Sequence, residues 1–262
     1  GAIIFFGLSL VMNFGMYWFS DKIVLRQYRA HIIEPGEEGG RFDALYQMVD
    51  GLRQKAGLPM PVVAISEQAQ PNAFATGRNP SHAVVCVTRG MWQLVQSGQL
   101  SMEELEGVIG HELAHVKDRH MLVGTIAASM AGAVMLISRS LMFFGGQRNR
   151  NVNPIAMILL IVLAPLAAMI IRSLISQSNE YEADADGSRI SGKPLALAGA
   201  LQKMEQIADR NPMDVSPAAA HLAIVNPLAG VGGLTSLFQT HPPTEERIAR
   251  LREIAARDHT GR

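Results

Sequence analysis

The chain has 262 residues, enough for one large domain or two small ones with a buried core, and its 23 Lys and Arg balance 23 Asp and Glu. It therefore lacks the basic field that gathers nucleic acid and the acidic field that gathers basic partners. The single cysteine, Cys86, excludes an intrachain disulfide framework and fits a reducing compartment.

Apolar residues make up 48% of the chain but are unevenly spread. Residues 1–20 carry no charge, nor do 121–138 or 151–171. Each run approaches the roughly 20 residues that span a bilayer core, and each is predicted to be a membrane helix. A buried helix of a soluble domain is the alternative for any one run. Tyr17 and Trp18 near the end of the first run, followed by Asp21, Lys22 and Arg26, fit an interfacial aromatic belt leading into a polar domain. The start at Gly1 inside an apolar run, with no cationic segment ahead of it, reads as truncation rather than as a cleaved signal peptide. Lys22, Arg26, Arg29, Lys117 and Arg119 flank the runs on the polar-domain side, against Arg148 and Arg150 on the other. By the positive-inside bias the polar domain faces the cytoplasm.

Between the first two runs, Phe42, Leu45, Met48, Val49 and Leu52 recur at helical spacing, closed by Gly57 and Pro59. Residues 62–65, 72–76 and 83–88 read as short strands punctuated by Pro71, Gly77 and Pro80, and predict a small antiparallel sheet. Ser101 and Glu104 form a capping box, from which Leu105, Val108, Ile109 and Leu113 continue a helix. No proline separates His115 from Ser138, so this helix is predicted to run unbroken into the second apolar run. Residues 211–240, with their prolines and glycines, read as a long surface loop.

His111 and His115 lie one helical turn apart, so both imidazoles can reach a single metal, with Glu112 beside them to handle a proton. At this chain's own His and Glu frequencies the HExxH pattern arises by accident about 1% of the time, so a third ligand is needed to support it. A catalytic zinc takes three protein ligands and keeps one open position. His120 would complete a metzincin pattern, but that pattern needs Gly at 118 and His at 121, where this chain has Asp118 and Met121. Glu180 is the other candidate, one turn before Asp184. If 121–138 and 151–171 form a membrane hairpin, both of its feet emerge on one side, and the long gap between His115 and Glu180 becomes an excursion that returns Glu180 to the histidines. The remaining histidines, His31, His82, His120, His221 and His259, have no partner spacing and read as surface or packed residues.

The segments 111–115 and 180–184 together resemble the HtpX-type heat-shock membrane zinc proteases, which are gluzincins. The likeness extends to residues 72–76, to His241, Pro242 and Pro243, and to the interleaved hairpin, and so covers nearly the whole chain. It implies an α+β fold, mainly α: a gluzincin-like domain with a small β-sheet, plus transmembrane helices. The expected organisation is a transmembrane helix over 1–20, a first catalytic part over 21–120, a membrane hairpin over 121–176 and a second catalytic part over 177–262. The resemblance also implies one Zn2+ per chain held by His111, His115 and Glu180, with Glu112 as catalytic base and Asp184 orienting a ligand histidine. His241 and Arg247 are candidates for stabilising the developing oxyanion. Asn72, Ala73, Phe74 and Ala75 are candidates for an exposed sheet edge that takes substrate as an added strand.

By that resemblance the chain is a zinc endopeptidase of the bacterial inner membrane, facing the cytoplasm. Its substrates would be misfolded or damaged membrane proteins, its surroundings the lipid bilayer, and nucleic acid would play no part. Two other classes are a narrow-specificity prenyl-protein endoprotease of the same clan, and a membrane scaffold or transport protein whose HExxH is accidental.

Overall fold

A computed structural model describes residues 7, 11, 14–15, 17–127, 130, 154–210 and 241–260. Helix α1 (Ser20–Gln27) leads into strand β1 (Ala30–Ile32), and helix α2 (Asp43–Ala56) follows. Leu45, Val49 and Leu52 of the predicted stripe are buried. Gly57 ends α2 with φ 70° and returns its N–H to the carbonyls of Arg53 and Gln54, a left-handed cap that glycine adopts without a Cβ penalty.

Strands β2 (Val62–Ser66), β3 (Ala73–Gly77) and β4 (Ala83–Thr88) lie where predicted. Among the described residues the sheet has four strands in the order β1-β2-β4-β3. It is mixed and not antiparallel throughout: β2 and β4 run parallel with Ala64 opposite Cys86, whereas β1 on β2 and β3 on β4 are antiparallel. The correction has a simple cause. Period-two alternation shows which face a side chain takes but says nothing of strand direction, and here the chain passes β2 to lay β3 at the edge before β4 fills the gap.

Both faces of the sheet are covered. Val63, Ile65, Ala73, Ala75, Val85 and Val87 point into the main core with the helices. Ala64, Phe74, Val84 and Cys86 point the other way, against Tyr28 and Leu25, with the Tyr28 and Phe74 rings 4.6 Å apart. That second cover explains why β3 and β4 read as uninterrupted apolar runs and not as alternating ones.

Thr88 caps helix α3 (Arg89–Gln96) by accepting from the N–H of Met91. Ser101 and Glu104 close the predicted capping box at the start of helix α4 (Met102–Lys117). The helix does not continue unbroken: Asp118 caps it, Arg119 takes φ 56°, and the chain is helical again over 120–127. No proline is needed, because one residue in the left-handed region suffices to redirect a helix.

Helix α5 (Pro154–Ser191) is a single element of 38 residues that carries both the third apolar run and Glu180. The boundary expected between 176 and 177 therefore falls inside a helix. Helices α6 (Pro194–Arg210) and α7 (Thr244–Thr260) complete the described chain. Among the described residues no helix is long and apolar enough to cross a membrane. Most of runs 1–20 and 121–138, and the surface loop expected at 211–240, lie outside the described residues.

Burial pushes the Cys86 thiol up to about 12, and its side chain is sealed between sheet and α1. Alkylation by iodoacetamide at pH 8, followed by intact mass, is expected to label Cys86 only after denaturant is added.

Candidate metal centre

The site forms where α4 crosses α5. A Cβ added to Gly187 would lie 2.6 Å from the His111 Cα, and one added to Gly110 would lie 2.9 Å from the Gly187 carbonyl oxygen. The two backbones touch at this point. A glycine inside a helix costs about 1 kcal/mol relative to alanine, and the return here is contact close enough to set short side chains of both helices around one point.

His111 and His115 turn their Nε2 atoms toward each other, 3.1 Å apart. Glu180 reaches both, with Oε2 at 3.6 Å from His111 Nε2 and Oε1 at 3.4 Å from His115 Nε2. Tetrahedral zinc with bonds of about 2.0–2.2 Å requires ligand atoms roughly 3.3–3.6 Å apart, so the three donors sit at metal-binding spacing. Composition agrees with spacing. Three carboxyl groups of the site, Glu112, Glu180 and Asp184, are buried there with one arginine, Arg247, an oxygen-rich set that suits a divalent cation.

Arg247 is 2% exposed. It grips Asp184 with Nε on Oδ2 at 2.8 Å and Nη2 on Oδ1 at 2.7 Å, and its Nη1 lies 3.2 Å from Glu180 Oε2. Asp184 Oδ1 in turn lies 3.0 Å from His111 Nδ1. Burial opposes ionisation of Glu180, but the fields of His241 and Arg247 and the His115 hydrogen bond outweigh it and hold the carboxyl well below its ordinary range. Burial likewise opposes ionisation of Asp184, and Arg247 holds that carboxyl down. At Glu112 burial wins against His111 and His115 and raises the carboxyl, which makes it the stronger base once ionised. Glu112 Oε2 accepts the N–H of Ala75 at 2.7 Å, so the carboxylate is anchored to β3.

His241 is buried, and its Nδ1 lies 3.4 Å from Glu180 Oε2. Arg247, a candidate for stabilising the oxyanion, has its guanidinium on Asp184 and Glu180, with Nη2 3.5 Å from His111 Nε2. It is held there from α7, where Arg250 stacks 3.6 Å over the Tyr181 ring of α5. The strand residues separate. Ala75 meets Glu112, Phe74 faces α1, and the Asn72 backbone is held by Thr88, whose Oγ1 accepts its N–H and donates to its carbonyl oxygen. β3 is an edge strand by order, yet its five residues are buried within the chain.

Two features escaped the sequence reading. Gly110 and Gly187 are glycines inside helices, and their cost there was the signal that they serve packing. His120 is 7% exposed, with Nδ1 2.9 Å from His115 Nδ1 and Nε2 3.4 Å from Glu182 Oε2. Burial and the facing His115 push His120 down to about 4. Its signal was the spacing of Glu182, two residues past Glu180.

Paired helical histidines, a carboxylate from a second helix and a buried glutamate beside them define a metallopeptidase centre. The chain belongs to peptidase family M48, which it matches over residues 40–255. It is 52% identical over 260 residues to a protein named Protease HtpX homolog from Gemmatimonas aurantiaca, covering 98% of this chain and 90% of that one. Proteins of the same name from Salinibacter ruber and Thermococcus kodakarensis are 50% and 51% identical, covering 98% and 97% of this chain and 89% and 87% of theirs. The fold is similar to the crystal structure of S. mikatae Ste24p, with a TM-score of 0.57 at 24% identity. That likeness covers 93% of this chain and 56% of Ste24p. The chain is thus an HtpX-type metalloprotease, mainly helical with a small mixed sheet.

Gly187→Ala puts a methyl group against backbone that cannot turn aside. Overpacking costs roughly 1–3 kcal/mol, so the variant is expected to melt several degrees lower and to retain less metal than wild type, measured by calorimetry and elemental analysis of the purified chain.

Proposed function

We propose that this chain is a zinc endopeptidase acting on extended segments of misfolded or damaged membrane proteins. The observation that supports this most directly is the spacing of His111 Nε2, His115 Nε2 and a Glu180 oxygen, with Glu112 anchored beside them. His111, His115 and Glu180 would hold one Zn2+, and the bound ion would acidify its water and polarise the scissile carbonyl. Glu112 takes the proton of the attacking water and delivers it to the leaving amine. Arg247 keeps Glu180 and Asp184 ionised and aimed, Asp184 fixes the ring of His111, and His241 donates to the charge that develops on the carbonyl oxygen. Substrate would lie extended along β3, whose free edge adjoins Glu112.

Membrane attachment in a bacterial inner membrane, with the site facing the cytoplasm, fits where apolar residues remain exposed. Phe14, Trp18 and Phe19 in the first run, Val123, Ile126 and Met130 in the second, and Leu163, Ile171 and Leu174 on α5 are all open to solvent in the described chain. Such a set has a physical reason when lipid covers it.

Metal content and casein cleavage of the wild type, Glu112→Gln and Glu180→Ala test the reading. Glu112→Gln is expected to keep its zinc and lose about 10²–10⁴ in rate, while Glu180→Ala loses both. Equal cleavage by Glu112→Gln and wild type would remove the base from the mechanism.

A further inference from the structure

The two histidines of the centre are not served alike. His111 has its Nδ1 on Asp184, in the carboxylate-to-histidine arrangement that fixes a ligand ring. His115 has its Nδ1 on another imidazole, His120, at 2.9 Å. A continuous helix would not permit this, because residues five apart are rotated by about 140° around the axis and cannot face each other. The break at Asp118 and Arg119, with Arg119 at φ 56°, folds His120 back against His115.

Counting protons sets the direction. When Nε2 of a neutral imidazole binds a metal, its Nδ1 carries the hydrogen. His115 Nε2 faces His111 and Glu180, so its Nδ1–H points at His120 Nδ1, which must accept. The His120 proton then sits on Nε2, directed at Glu182 Oε2 3.4 Å away. We propose that His120, backed by Glu182, is a positioning residue that fixes the tautomer and ring angle of His115, as Asp184 does for His111. The proposal rests on the zinc reading above.

The same count bears on a second grouping, since Asp118, His120 and Glu182 also bring three potential ligand atoms within 4.8 Å of one another. A cation on His120 Nε2 would move the His120 proton to Nδ1, opposite the Nδ1–H of His115. Occupancy of the two sites is therefore mutually opposed, and a filled first site leaves His120 as an acceptor.

The test uses the full-length chain in detergent as wild type, His115→Ala, His120→Ala, His120→Asn and Glu182→Gln. Zinc affinity is read by competition with a chromophoric chelator, and site geometry by the visible spectrum of the Co2+ form. His120→Ala is expected to bind zinc about 10–100-fold more weakly, with an altered cobalt band. In His120→Asn the amide oxygen takes the place of the accepting Nδ1 and restores most of the affinity and the wild-type band. Wild-type affinity and spectrum in His120→Ala would overturn the proposal. Equal weakness of the Ala and Asn variants would also overturn it, by reducing His120 to packing. So would two metals per wild-type chain falling to one in Glu182→Gln. Failure of the zinc reading shows separately, as a wild type without stoichiometric metal or a His115→Ala variant that retains it.

Discussion

Gly187 lies directly beneath the His111 backbone, and everything chemical in the molecule depends on that contact. Helices usually pack with axes about 8–10 Å apart, held off by the side chains between them. With glycine at both Gly110 and Gly187 the separation is set by backbone atoms instead. A glutamate and an aspartate of α5 then reach two imidazoles of α4 without a loop or a long side chain between them. These side chains sit on helices braced by a core of Leu105, Ile109 and Leu113 on one side and Ala183 and Ile190 on the other.

Bringing carboxylates and imidazoles into that crossing creates an electrostatic cost, which the fold meets from α7. Arg247 is the buried cation that makes the pair Glu180 and Asp184 tolerable, and its grip on both also aims them. A buried charge group of this kind loses several kcal/mol when one partner is removed, so the arrangement acts as a unit.

The helix around His111 is legible in the sequence because it rests on local rules: a capping box, helical periodicity, and histidines one turn apart. Strands β2, β3 and β4 are legible for the same reason, down to their ends within a residue or so, whereas β1, three residues long and without an apolar run, is not. Strand direction is not, since alternation is blind to it, and the sheet proves mixed. The break after Lys117 is also hidden, because a left-handed Arg119 carries no compositional mark as proline or glycine would. That break places His120 against His115, so a histidine without helical partner spacing lands in the centre. The grip of Arg247 on Asp184 is hidden as well, because it depends on how α7 packs against α5, which no local pattern encodes.

Helix α5 also has a mechanical side. It runs without interruption from the apolar run to Glu180 and on to the contact at Gly187, so it behaves as a lever with its fulcrum under His111. At 1.5 Å per residue, Ile171 stands about 24 Å from that fulcrum and Glu180 about 10 Å. A sideways displacement of about 2 Å at Ile171 therefore arrives as nearly 1 Å at Glu180, several times the roughly 0.2 Å tolerance of a metal bond. Whatever grips the apolar end of this rod bears on the position of Glu180 at the other.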